Sequence, residues 1–233
     1  MIPLHDDNPT ERPPIVTVSL IVICSLVFLW ELGLGQAREA AVYALGVIPA
    51  VLFELKSLPP ELDLVSPEMT LITSMFLHGG WMHLLGNMLY LWIFGNNIED
   101  AMGHLRFILF YVLCGLAAAM AQALSHPTSE IPMIGASGAI SGVLGAYLLL
   151  YPHARVLVGI PLGLFLYTVT MPAGMVLLIW FVVQVVSSIG ASGPGVAWQA
   201  HIGGFIAGLL LVPLFRRRGV PLWQPPRPRD TFD

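Results

Sequence analysis

Charged residues are what this chain lacks most. Asp, Glu, Lys and Arg together make up 10% of its 233 residues, while 56% are apolar, and the mean hydropathy is +0.79. A water-facing globule carries roughly 25% charged residues, so most of this surface must face lipid. Basic clusters are missing too: the formal net charge is -4, and no basic stripe exists beyond a short C-terminal tail, which leaves nucleic-acid binding without support. Cysteine is nearly absent. Cys24 and Cys114 fall in apolar stretches far apart, as small core residues with no disulfide framework. Residues 1–14 carry Asp6, Asp7, Glu11 and Arg12 but no basic n-region, so no cleavable signal peptide is expected.

Other absences remove whole chemistries. No His-Glu-x-x-His occurs, which excludes that zinc protease pattern, and neither a metal nor a cofactor is expected. Glu31 is the only acid in the body of any apolar span, so a two-carboxylate intramembrane mechanism has no second partner. An α/β-hydrolase elbow needs Gly-x-Ser-x-Gly after a strand, but the chain reads Gly135-Ala136-Ser137-Gly138-Ala139 in helical surroundings.

What the chain does have is apolar runs. A spanning helix needs about 20 predominantly apolar residues. Six spans are expected: Ile15 to Gly33, Trp81 to Phe94, Phe107 to Leu124, Ile134 to Tyr151, Pro172 to Ile189 and Trp198 to Phe215. Between the first two lies a long connector, Gly35 to Leu71, too polar to span; its apolar piece, Val42 to Leu55, suits short interfacial helices. Val156 to Thr170, broken by Pro161 and Gly163, is expected to be re-entrant, interfacial or the start of a longer fifth element. The expected class is an all-α membrane protein, a six-transmembrane-helix bundle with a long external first connector. Its parts are an N-terminal segment 1–14, a membrane domain 15–215 and a basic, Pro-rich tail 216–233. The tail is expected to be disordered from Pro221 to Asp233.

Lys and Arg counts set the orientation. With the termini inside, internal segments hold Arg12, Arg106, Arg155, Arg216, Arg217, Arg218, Arg227 and Arg229, against Arg38 and Lys56 outside. Cytoplasmic termini follow. Compactness and the lack of targeting signals point to a bacterial inner membrane.

Against this apolar background a few polar residues stand out. Spans two, four and six run outside to inside, and His83, Ser137 and His201 lie near their outer starts. At about 1.5 Å per residue, all three reach one depth. Ionisable groups in a span are a functional hypothesis by default, and a hydroxyl beside an imidazole is a nucleophile with its base. Span four is rich in Gly and Ala; span six carries Gly203, Gly204 and Gly208. Small residues permit the close approach that a Ser–His hydrogen bond needs. His83 and Asn87, four residues apart, share a helix face and can both donate to an oxyanion. The remaining histidines, His5, His104, His126 and His153, are expected in solvated loops or termini. Glu99-Asp100 with Arg106 is expected to form local charge pairs. Trp180 and Phe181 are expected to pack in the core, with the flank of a substrate entrance as the alternative.

At these residues the chain resembles the rhomboid family of intramembrane serine proteases. The matching pieces are His78-Gly79-Gly80-Trp81-Met82-His83-Leu84-Leu85-Gly86-Asn87, Gly135-Ala136-Ser137-Gly138, and Ala200-His201-Ile202-Gly203-Gly204 with Gly208, over about Leu71 to Val212. The resemblance implies a rhomboid-like bundle with Ser137 as nucleophile, His201 as base, and His83 and Asn87 in oxyanion stabilisation. His78 would support the outer connector, with Gly135, Gly138 and Gly204 as supporting positions. It implies a transmembrane protein substrate cut near its outer end, within the lipid bilayer, by a Ser–His dyad without cofactor; the oligomeric state is left open.

Two departures from the family are visible. Many relatives carry Trp-Arg in the connector where this chain has Met69-Thr70, and some carry a Tyr packed on the catalytic imidazole where it has Ser141, so another group must orient His201. Two other readings are a non-catalytic rhomboid-like protein that binds membrane clients, and a small transporter. The first typically lacks the Ser or the His. The second requires polar residues through both halves of the bilayer.

Overall fold

The computed structural model describes residues 1–163, 165–190 and 196–225. The end of the Pro-rich tail, with Arg227 and Arg229, lies outside them. In chain order the elements are β1 (Ile2–Asp6), α1 (Ile15–Gly33), α2 (Arg38–Leu45), α3 (Pro49–Leu52) and α4 (Pro67–Thr73). Then come α5 (Trp81–Tyr90), which continues through a π turn (Leu91–Gly95) into α6 (Asn96–Met102), and α7 (His104–Ser125) and α8 (Ser137–Leu150). Strands β2 (Arg155–Leu162) and β3 (Phe165–Pro172) precede α9 (Ala173–Gly190) and α10 (Trp198–Phe215). Among the described residues, α1, α7 and α10 are long and apolar enough to cross a membrane, and α8 and α9 are shorter apolar helices. The connector forms short helices at α2 and α3, as its composition implies.

The all-α expectation is corrected by a three-stranded antiparallel sheet in the order β1-β2-β3. Segment 156–170 is a β-hairpin and not the start of the fifth helix. Val156, Val158 and Ile160 place β-branched side chains at period two, and Gly163, at φ 61°, takes the left-handed conformation that ends β2. Val156 and Val158 are fully buried. The N-terminal segment supplies the edge strand, pairing Pro3 with Val158 and Asp6 with Val156.

A second correction concerns Glu99 and Asp100, which make no local loop pair with Arg106. Glu99 is buried and caps the start of α1. Its Oε1 accepts from the Val16 N–H (2.8 Å), and its Oε2 from the Thr17 N–H (2.8 Å) and hydroxyl (2.7 Å). A carboxylate there satisfies orphan amides and meets the positive end of the helix dipole. His104 Nδ1 lies 2.6 Å from Glu99 Oε1, so this histidine is paired rather than free in solvent. Asp100 accepts from Glu11 N (2.9 Å) and Arg217 Nη2 (3.2 Å). Arg106 instead donates to the Arg216 carbonyl (3.3 Å).

The bundle is tightest where α8 meets α10. A Cβ on Gly204 would strike the Gly138 carbonyl oxygen, one on Gly208 the Gly142 oxygen, and one on Gly145 the Phe205 oxygen. Helix α7 closes the third side, with Ala118 Cβ 2.6 Å from where a Cβ on Gly138 would sit. Cys24 and Cys114 are free and buried.

Two predictions follow from this packing. Gly208→Ala must push the two helix backbones apart; overpacking of this kind costs about 1–3 kcal/mol, read as a lowered unfolding midpoint in detergent. Asp6 accepts from the Tyr147 hydroxyl at 2.6 Å, and burial pushes its carboxyl up to about 6. The ionised form is therefore the costly one, and the stability contributed by the protonated form is lost as pH rises through about 6. Asp6→Asn keeps the acceptor and cannot ionise. Its melting temperature relative to the parent is expected to rise steadily between about pH 4 and about pH 7.

Candidate active site

The cavity at one end of the bundle is built from helix starts. Ser137 opens α8, so its N–H lies in the first turn and has no acceptor within the helix. His201 lies in the first turn of α10, and His83 in the first turn of α5. Ser137, His201, His83, Asn87, Trp180 and Trp198 line a cavity of about 1120 Å³.

Ser137 Oγ and His201 Nε2 are 2.8 Å apart. The other ring nitrogen, Nδ1, lies 2.8 Å from Gln184 Oε1 on α9. The ring also lies against the Trp180 indole (centroids 5.9 Å apart, planes at 36°) and meets Trp198 edge-on at 6.2 Å. Ser141, one turn after Ser137, turns its hydroxyl to the Ser137 carbonyl, to which it donates at 2.7 Å. The group left unspecified by the sequence is thus Gln184. Its signal was a lone amide in an otherwise apolar run, one turn after Trp180. Trp180 and Phe181 do pack in the core, each stacked on Phe205, but Trp180 also forms a wall of the cavity.

His83 and Asn87 face the cavity from α5. The Gly79 N–H donates to His83 Nδ1 at 3.2 Å, which makes Nδ1 the acceptor and Nε2 the N–H of the neutral ring. That Nε2 points at Gly135: a Cβ there would lie 2.6 Å from it and 3.8 Å from Asn87 Nδ2. Asn87 is buried, and its Nδ2 has no hydrogen-bond partner among the described residues. Gly135 stands at φ 122°, where a side chain is strained regardless of space, and its N–H donates to the Ser74 carbonyl at 2.8 Å.

His78 does not reach the Ser–His pair. It is fully buried, packs edge-on against His83 at 5.2 Å, and places Nδ1 3.1 Å from the Phe76 carbonyl. Its backbone is gripped from two sides. Its N–H donates to Glu31 Oε2 (3.2 Å), and its carbonyl accepts from Arg38 Nη2 (2.8 Å). Arg38 also lies over the Phe28 ring at 5.5 Å. These contacts, with Thr73 Oγ1 on the Leu45 carbonyl at 2.6 Å, hold the connector in place. Glu31 was visible as the only acid within a span, and an acid there requires partners.

A bundle of apolar helices enclosing a Ser–His pair is the architecture of an integral membrane protein with a polar site set among its spans. The chain belongs to the rhomboid family, whose Rhomboid domain model matches residues 67–218. It is 31% identical to Rhomboid protein 1, mitochondrial, of Saccharomyces cerevisiae over 72% of this chain and 51% of that protein. It is 34% identical to RHOMBOID-like protein 5 of Arabidopsis thaliana over 60% and 42%, and 34% identical to Rhomboid protease GluP of Bacillus subtilis over 59% and 24%. The chain thus spans about half the length, or less, of these relatives. They come from a mitochondrion and a plant as well as a bacterium, so the similarity supports an integral membrane protein and does not favour a bacterial inner membrane in particular.

Gly135→Ala places a Cβ 2.6 Å from His83 Cε1 and Nε2 at a left-handed φ. Such strain costs about 1–3 kcal/mol. The unfolding midpoint is expected to fall accordingly, whereas Gly33→Ala, which meets nothing within 4 Å, leaves it nearly unchanged.

Proposed function

We propose that this chain is an intramembrane serine endopeptidase that cleaves transmembrane-segment substrates near the outer side of the bilayer. The observation that carries the reading is the 2.8 Å approach of Ser137 Oγ to His201 Nε2 inside the cavity. Membership of a family with relatives named as proteases supports it. In this reading six spans cross the bilayer, the long connector lies outside and both termini are cytoplasmic. The meeting of Glu11, before the first helix, and Arg217, after the last, on Asp100 supports this reading.

The chemistry is acyl transfer. His201 Nε2 takes the proton of Ser137 as Oγ attacks the peptide carbonyl carbon. The carbonyl oxygen becomes an oxyanion, met by the His83 Nε2–H, the Asn87 amide and the Ser137 N–H. The C–N bond then breaks, and the departing amine takes the proton from His201. Water, deprotonated by the same imidazole, hydrolyses the acyl-enzyme ester. No carboxylate contacts His201 among the hydrogen bonds of the described residues, so the pair acts as a dyad. The substrate must present an unwound peptide, because a helical amide is shielded by its own hydrogen bonds.

Purified protein offered a model transmembrane substrate is expected to cleave it, and Ser137→Ala to abolish cleavage. Replacing either oxyanion side chain, as in Asn87→Ala, is expected to lower kcat by about 100- to 1,000-fold. A fluorophosphonate probe is expected to label Ser137. Equal turnover by the parent and Ser137→Ala sinks the proposal.

A further inference from the structure

We infer that Gln184 is a positioning residue for catalysis, fixing both the tautomer and the orientation of His201. The inference rests on the reading of His201 as the base.

For Nε2 to accept the Ser137 proton it must carry no hydrogen, so the neutral ring must carry its hydrogen on Nδ1. Among the described residues, the hydrogen-bond partner of Nδ1 is Gln184 Oε1, at 2.8 Å. An amide can present either end, and the wrong one would donate to Nδ1 and select the opposite tautomer. The surroundings choose. Gln184 Nε2 lies 3.2 Å from the Trp180 carbonyl one turn earlier on α9, an atom that can only accept. That bond commits the NH₂ to the helix backbone and leaves Oε1 for the imidazole. The opposite setting would place two oxygens against each other, Oε1 and the Trp180 carbonyl, so it is disfavoured.

Burial strengthens this choice. Gln184 is 5% exposed, so neither end of the amide can readily exchange its partner for solvent, and a buried polar atom left unpaired is costly. Trp180, four residues before Gln184, shares its helix face and lies against the ring. One face of α9 thus supplies a planar wall and a hydrogen-bond acceptor to the same imidazole. The Ser141 hydroxyl donates instead to the Ser137 carbonyl on its own helix. A neutral amide does here what a carboxylate does in a triad, without placing a fixed charge among apolar helices.

The test compares Gln184→Met, which keeps length and loses the acceptor, with Gln184→Glu, which keeps an acceptor oxygen. Both are measured as full-length protein on a model transmembrane substrate, alongside the parent and Ser137→Ala. Gln184→Met is expected to lower kcat by about 10- to 100-fold with KM nearly unchanged, the scale of a misplaced reacting group. Gln184→Glu is expected to restore kcat to within about threefold of the parent: a buried carboxyl kept neutral donates its O–H to the Trp180 carbonyl and keeps the acceptor oxygen for Nδ1. Full kcat in Gln184→Met overturns the inference. So does equal loss in both variants, which marks a purely structural role. If Gln184→Met does not fold, ¹⁵N spectra of histidine-labelled parent protein decide: an Nδ1–H resonance at His201 is expected, and a neutral ring protonated at Nε2 overturns the inference. Cleavage by Ser137→Ala, by contrast, removes the protease reading itself, whatever Gln184 does.

Discussion

The depth of contact between α8 and α10 governs what the cavity end can be. Ordinary helix pairs pack with axes about 8–10 Å apart, and at the wider end of that range a serine near the start of one helix would not meet a histidine on the other. Here Gly138, Gly142 and Gly145 on α8 face Gly204, Gly208 and Phe205 on α10, with backbone carbonyls where side chains would otherwise stand. In lipid no hydrophobic gain separates helix–helix from helix–lipid contact, so shape and small residues set the distance. The 2.8 Å Ser137–His201 approach is the local result of that contact along the whole length of two helices.

Around this pair the polar groups are bound one to another. His83 is oriented by the Gly79 N–H, His201 by Gln184, and the His78 backbone by Glu31 and Arg38. Each of these bonds joins residues from different helices or from a helix and the connector, apart from the short link from Gly79 to His83. A polar group in an apolar bundle is held by what it can exchange hydrogen bonds with, so the bonds that hold the side chains also hold the elements. Helix α9 is the clearest case. Most of its outward face is exposed apolar surface, including Met175, Leu178, Val182 and Val186, yet its inward face touches the imidazole.

Much of this was legible in the chain. Two of the six expected spans, Ile15–Gly33 and Trp198–Phe215, coincide with α1 and α10, because apolar length is a one-dimensional signal. Ser137, His201, His83 and Asn87 do line one cavity, because the first three sit near the starts of elements entering from the same end and Asn87 lies one turn after His83 on the same face. What escaped was two-sided or long-range. Segment 156–170 reads as an apolar run because Leu157, Pro161 and Leu166 fill the alternate positions of the hairpin, masking its period-two signal. Glu99 looked local to Arg106, but its partners Val16 and Thr17 lie 83 and 82 positions away. Gln184 could be named as odd and not as a partner, since no spacing rule connects residues 17 positions apart on two helices.

At the far end, Glu99 and Asp100 are neighbours on α6, and between them they receive Glu11, Val16 and Thr17 from early in the chain and Arg217 from late in it. The backbone then runs on to pair Trp223 and Gln224 with the carbonyls of Leu149 and Leu150. A clasp of this kind closes the bundle as a hoop rather than a row. A ribosome delivers residues in order, so the first helix can be seated as soon as residue 100 exists, but the hoop stays unfastened until residue 224 has emerged. Assembly of the helices is thereby tied to the synthesis of the segment that follows the last of them.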